Sequence, residues 1–489
     1  IIAVILAVSG LSVISITANA ATIFISGNYE YTVNSDDTVN IVGYKGIATD
    51  ITIPSQILNK NVVKISANSF YNNSTLTSVK IPNTIKVVGS MAFHNCTKLS
   101  KVTLSSNLTK IGYNAFEGTT ALTTITIPKT LTNSDYSIFR NSGLKTAIIE
   151  NGATAVPAAL FSDANNLTKV TIPNTVKKIG VSAFSNCTKL SSITLPNTLT
   201  ELGYNAFGGT TALTAITIPK TVTTAGNNVF NGSALKTATI ENGATAVADN
   251  LFSNAKNLTK VTIPNTVKKV GSMSFYHCEK LSSVTLPNTL TEIGYSAFDG
   301  TTALTTITIP KTVTKAGSDV FEDSGLKTAT IENGATTVAD NLFSNAKNLT
   351  KVTIPNTVKK IGSMSFYGCT KLSSVTLPNT LTEIGYSAFN GTTALTTITI
   401  PKTVTKAGSD VFEDSGLKTA TIENGATTVA DNIFSNAKNL TKVTIPNTVK
   451  KIGSMSFYHC VKLSSVTLPK NLNEIGYRAF DSTKALKSI

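Results

Sequence analysis

Residues Leu258–Lys280 read LTKVTIPNTVKKVGSMSFYHCEK. In the opening LTKVTIP the apolar side chains alternate, so Val261 and Ile263 share one face of a short strand while Leu258 enters from the preceding turn. Pro264 ends the strand, because proline cannot donate to a ladder. In the remainder, Val267, Val270, Phe275 and Cys278 recur at spacings of three to five residues, too short a pattern for a long helix. That spacing predicts an irregular arm ending in a turn or two of helix. One strand and one return form a coil that buries little by itself.

The same stretch is repeated along the chain. Counterparts begin at Leu76, Leu167, Leu349 and Leu440, each 91 residues from the next. Between them stand three further units, for example from Leu281, Leu304 and Leu326. A block of four units, three of 23 residues and one of 22, has been copied head to tail. Eighteen units start between Leu76 and Leu463, and a nineteenth starts at Leu486. Such self-similarity marks a solenoid, in which each coil buries its apolar face only against its neighbours. With parallel strands ~4.8 Å apart, eighteen coils give a sheet on the order of 85 Å long.

Composition agrees. A chain of 489 residues exceeds a single compact core, and a hydrophobic content of 41% excludes disorder. Thr, Asn, Ser, Ile, Val and Leu dominate while Trp is absent, which favours strands joined by polar turns. Ahead of the array, ITIPSQILNKNVVKISANSFYNNST from Ile51 is a divergent unit, and Tyr29–Val33 and Thr38–Val42 alternate around Ser35, Asp36 and Asp37 as a hairpin does. Residues 21–75 are therefore expected to cap the array, and 76–489 to be the solenoid. The apolar run from Ile1 to Ile16, followed by Ala18, Asn19 and Ala20, has the form of a secretory signal in residues 1–20. Ser9, Gly10, Ser12 and Ser15 interrupt it, against a membrane span of ~20 clean apolar residues. No initiator Met precedes Ile1 and no closing cap follows Leu486, so the sequence reads as a segment of a longer chain. Membrane contact is then expected only through the signal or an anchor beyond Ile489.

The pattern Leu-x-x-Val/Ile-x-Ile/Leu-Pro-x-x-Val/Leu-x-x-Ile-Gly-x-x-Ala/Ser-Phe-x-x-Cys/Thr resembles that of the BspA-like, or Treponema pallidum-type, leucine-rich-repeat family, from Ile51 to Ile489. The resemblance implies a mainly β, curved leucine-rich-repeat solenoid with one parallel strand per coil and short helical or irregular return arms. It also implies a secreted or cell-surface protein engaged in adhesion, with no shared catalytic residues.

The chemistry-bearing residues fall into columns. Cys96, Cys187, Cys278, Cys369 and Cys460 stand 91 residues apart, or four coils and ~19 Å. A disulfide needs Cα atoms within ~7 Å, so these are expected to be core residues. Metal binding fails on the same distances, although His277 and His459 adjoin Cys278 and Cys460. His94 is the one other histidine, too few for a nucleophilic triad. Asp319, Glu322 and Asp323, repeated as Asp410, Glu413 and Asp414, offer calcium-type oxygens, but the equivalent stretch from Asn227 to Ser233 is built without carboxylates. No metal, cofactor or catalytic residue is expected. Phe93, Phe116, Phe184, Phe207, Phe275 and Phe298 form a column suited to the core. Tyr113, Tyr204, Tyr295, Tyr386 and Tyr477 form another, suited to half-burial with a wet hydroxyl, and a carbohydrate-stacking platform is conceivable there.

The outward strand positions carry the functional expectation. From the second block onward the residue between the two core positions is always Thr: Thr171, Thr194, Thr217, Thr239, Thr262, Thr285, Thr308, Thr330, Thr353, Thr376, Thr399, Thr421, Thr444 and Thr467. Two residues earlier, Lys169, Lys260, Lys351 and Lys442 place a lysine on every fourth rung. Thr is a good strand residue in its own right, yet Val or Ile would serve propensity equally. A polar, adhesive ladder is the functional alternative. Thr-x-Thr ladders also resemble those of ice-binding solenoids, but lysine rungs and the curvature implied by the family argue against a flat ice lattice.

Net charge is +15, which attracts anionic polymers. The third block, 258–348, is neutral, however, and Lys177, Lys178, Lys268 and Lys269 lie on the return arm. The family resemblance, with the export signal and the repeat array, implies a host or matrix protein or another cell surface as the partner, with an anionic polysaccharide or wall polymer as the alternative and no nucleic acid.

Overall fold

A computed structural model describes residues 22–487; the expected signal segment lies outside them. The chain winds as a solenoid of parallel β-coils. On the strand face, Thr306–Ile309 pairs in register with Thr328–Ile331, and that with Lys351–Thr353. Buried Ile307 and Ile309 alternate with exposed Thr306 and Thr308, the period-two pattern of a strand with one wet face.

The arm differs from the sequence expectation. Among the described residues no helix closes it, and each arm instead carries a second, two-residue strand. Lys269–Val270, Glu292–Ile293 and Lys315–Ala316 form a second parallel ladder. The reason no helix follows is backbone handedness. The residues two before and two after each core Phe are left-handed: Met273 and His277 have φ of 53° and 52° around Phe275, and Ser296 and Gly300 have 47° and 68° around Phe298. Isolated left-handed residues cannot continue a right-handed helix. Every second N–H of this turn points to the next coil, so Met273, Phe275 and His277 donate to the carbonyls of Tyr295, Ala297 and Asp299 at 2.8–2.9 Å, while Ser274 and Tyr276 donate within the coil to Gly271 and Met273. This row is a third inter-coil ladder.

Between the ladders runs one continuous core. Leu258, Leu281, Leu304 and Leu326 are fully buried, as the repeat starts require. The phenylalanines stack coil upon coil from Phe70 to Phe480, with centroids 4.9–5.9 Å apart. Gly294 shows how closely coils approach: a Cβ there would lie 2.4 Å from Ser272 N, so this position needs glycine.

At the N-terminal end, Phe24–Ser26, Tyr29–Val33 and Val39–Tyr44 form an antiparallel meander whose last strand pairs parallel with Lys60–Ile65. Tyr44 then lies 5.3 Å from Phe70 and heads the ring column. Its strands extend the arm ladder, since Lys60–Ile65 pairs on with Val87–Val88.

The two β ladders lapse once per four-coil block, one coil out of phase. The strand-face ladder runs through Ala215–Ile218, Thr237–Ile240 and Lys260–Thr262, touches Ser283 through a single bridge, and does not pair on to Thr306–Ile309. The arm ladder bridges that gap through Glu292–Ile293 and Lys315–Ala316, then lapses before Thr337–Val338. Every pair of coils thus keeps at least one β ladder.

Candidate binding face

All fourteen ladder threonines, Thr171 to Thr467, are exposed on the strand face, as are Lys169, Lys260, Lys351 and Lys442. The structure therefore brings these residues onto one surface. Their hydroxyls separate them from the other threonines. On the arm, Thr289 Oγ1 donates to Asn265 O and Val267 O at 3.0 and 2.6 Å, and Thr382 Oγ1 donates to Lys359 O at 3.0 Å. The same inter-coil bond recurs at Thr198, Thr266, Thr312 and Thr380 at 2.6–2.7 Å. The ladder hydroxyls make no such bond, because pleating aims them away from the neighbouring coil.

Where the strand-face ladder lapses, the face opens into grooves. One of about 500 Å³ is lined by Thr376, Thr399, Thr421, Asn379, Glu423 and Val375, among others. Equivalents of about 490 and 360 Å³ lie one and two blocks earlier, at Thr285–Glu332 and Thr194–Glu241. A smaller one of about 210 Å³ lies between Val102 and Glu150. Val102, Ile193, Val284 and Val375 are only half-buried at these lapses, whereas Ala238 and Ala329, paired on both sides within the ladder, are buried. Glu423 Oε2 accepts the Lys402 N–H at 2.9 Å, so the carboxylate is anchored at the groove's rim. Periodicity alone did not reveal these grooves; the register of the four-coil block was the available signal.

Part of the charge on the arm is self-compensated. Lys178, Lys269, Lys360 and Lys451 pair across the second ladder with Glu201, Glu292, Glu383 and Glu474 at 2.8–3.0 Å. The carboxylate group at Asp299, Glu322 and Asp323 faces Lys347, which lies 3.6 and 3.3 Å from the latter two. Burial, then repulsion by Glu322 and Asp323, raises the Asp299 carboxyl to about 6. Among the described residues no group of three or more His, Cys, Asp or Glu side chains is placed to hold a metal ion.

The cysteines are free and fully buried. Each thiol faces the carbonyl of the preceding coil's Phe, Cys278 Sγ lying 3.2 Å from Phe252 O. Burial pushes the Cys96 and Cys460 thiols up to about 12, and such thiols are poor nucleophiles. The column Tyr113, Tyr204, Tyr295, Tyr386 and Tyr477 is 41–67% exposed and stands behind the arm strands, not on the ladder.

A family model described as BspA type leucine-rich repeat region, of six copies, matches residues 44–168, 154–281, 245–373 and 359–487. No curated protein matches by sequence. Among solved structures, a leucine-rich repeat protein from Bacteroides ovatus is 25% identical, with 86% of this chain and 99% of that one covered and a TM-score of 0.50. A leucine rich cell surface protein from Faecalibacterium prausnitzii is 24% identical over 88% and 96%, with a TM-score of 0.35. The Treponema pallidum leucine-rich repeat protein is 20% identical over 53% and 91%, with a TM-score of 0.23.

Proposed function

We propose that this chain, which belongs to the BspA-type leucine-rich-repeat family, is an exported scaffold of the cell surface or the secreted pool that binds partners without catalysing a reaction. Its partner is a host or matrix protein or another cell surface, held on the strand face. The observation that carries the reading is the ladder from Thr171 to Thr467, whose exposed hydroxyls bond no other group among the described residues while the arm threonines bond the neighbouring coil. A surface with its polar groups unspent can exchange water for a partner at little cost. The test is binding of the recombinant chain to immobilised collagen, laminin and fibronectin and to intact bacterial and epithelial cells. Saturable binding that falls when ladder threonines become alanine is expected, and absence of binding to the whole panel would sink the reading.

A second reading, capture of an anionic polysaccharide, draws on the net charge of +15 and the exposed rungs Lys169, Lys260, Lys351 and Lys442. It predicts binding to dextran sulfate that weakens steeply from low to physiological salt. Salt-insensitive binding would remove it.

A further inference from the structure

We propose that the grooves at the lapses of the strand-face ladder are saccharide subsites, each taking a segment of a neutral glycan. The proposal rests on the strand face being the binding surface and adds the class of ligand. In the three larger grooves the lining contains no lysine, no arginine and no aromatic ring. An anion therefore finds no counter-charge there and meets Glu241, Glu332 or Glu423 instead. A purely apolar ligand would strip water from hydroxyls and leave them unpaired, which is costly.

The groups that are present suit alternating donors and acceptors. Thr376, Thr399 and Thr421 bring hydroxyls without partners among the described residues, and the Asn379 carboxamide adds a donor and an acceptor. Glu423 uses Oε2 on the Lys402 N–H, which leaves Oε1 to accept from a ligand hydroxyl. Half-exposed Val375, with Pro401 beside it in the lining, supplies a small C–H surface, against which the apolar side of a pyranose ring packs. The volumes of about 500, 490 and 360 Å³ fall in the range of ordinary ligand pockets, ~300–1,000 Å³. Four coils, or ~19 Å, separate successive grooves, so a polymer bridging several would gain by multivalency.

The test uses the full chain and four soluble neutral hexaoses, cellohexaose, maltohexaose, mannohexaose and chitohexaose, with calorimetry and saturation-transfer NMR as readouts. At least one is expected to bind. A triple variant Thr217→Val, Thr308→Val, Thr399→Val, which empties one hydroxyl from each large groove, should weaken it by about tenfold or more. A control triple, Thr171→Val, Thr262→Val, Thr353→Val, removes ladder hydroxyls outside the groove linings and should change it less than about twofold. Binding of none of the hexaoses overturns the proposal, and so does equal weakening by the two triples. If matrix-protein binding falls in the groove triple while no hexaose binds, the saccharide assignment fails and the strand-face reading survives.

Discussion

Thr289 and Thr308 share a residue type, and they sit on neighbouring coils in opposite roles. Thr289 Oγ1 bonds Val267 O at 2.6 Å and Asn265 O at 3.0 Å, while Thr308 points outward from the strand face. Valine replaces threonine with the same β-branched shape, so the substitution isolates the hydroxyl. At Thr289 it removes a net contribution of about 1 kcal/mol and leaves a partly buried carbonyl short of its partner, a loss of about 1–2 kcal/mol in all. The triple Thr198→Val, Thr289→Val, Thr380→Val repeats this at sites a whole block apart, far enough to add, and should cost about 3–6 kcal/mol. The ladder triple Thr217→Val, Thr308→Val, Thr399→Val loses no internal bond and should stay within about 0.5 kcal/mol per site. Because a solenoid opens locally, hydrogen-exchange mass spectrometry is the sharper assay, with urea unfolding beside it. Amides around each arm substitution should exchange about 5–30 times faster, and amides around the ladder substitutions should be unchanged. Equal acceleration in both triples would refute the reasoning, since the ladder hydroxyls would then be structural.

Removing one ring from the column tests the core: Phe298 is fully buried, with Phe275 and Phe321 at 5.1 and 5.5 Å, so Phe298→Ala should cost about 3–5 kcal/mol, against under about 0.5 for exposed Tyr295→Ala, both read by urea unfolding. Asp299→Asn should stabilise at pH 8, on the order of 1 kcal/mol after allowance for partial exposure. The folded-state carboxyl is raised to about 6 from 3.8, so its charge is penalised in the fold above pH 6. That penalty vanishes as pH falls toward 4, and melting temperatures of the two proteins should converge there; a constant difference would contradict the assignment. The five cysteines should ignore iodoacetamide at pH 8 in the native chain and react fully in guanidinium, as counted by mass spectrometry. Rapid native labelling would contradict their burial.

The spacing of Leu258, Val261, Phe275 and Cys278 and its recurrence every 91 residues determined by themselves that the chain is a solenoid and which residues fill its core. That is so because a repeat must bury the same columns in every coil. The Phe and Cys columns, the exposure of the Thr ladder and the lysine rungs were legible for the same reason. The second strand in each arm was less legible, since two residues such as Lys269 and Val270 are too short to show a period. The left-handed pair around each Phe left a trace in the Asn, Asp and Gly common there, but Met273 and His277 hide it, and only the hydrogen bonds of stacked coils hold such residues in that conformation. Which hydroxyls are spent and which are free depended wholly on tertiary structure: Thr289 and Thr308 are the same residue until the next coil supplies, or withholds, a carbonyl. The grooves were decided there too, because a lapse in pairing belongs to two coils at once and to the sequence of neither.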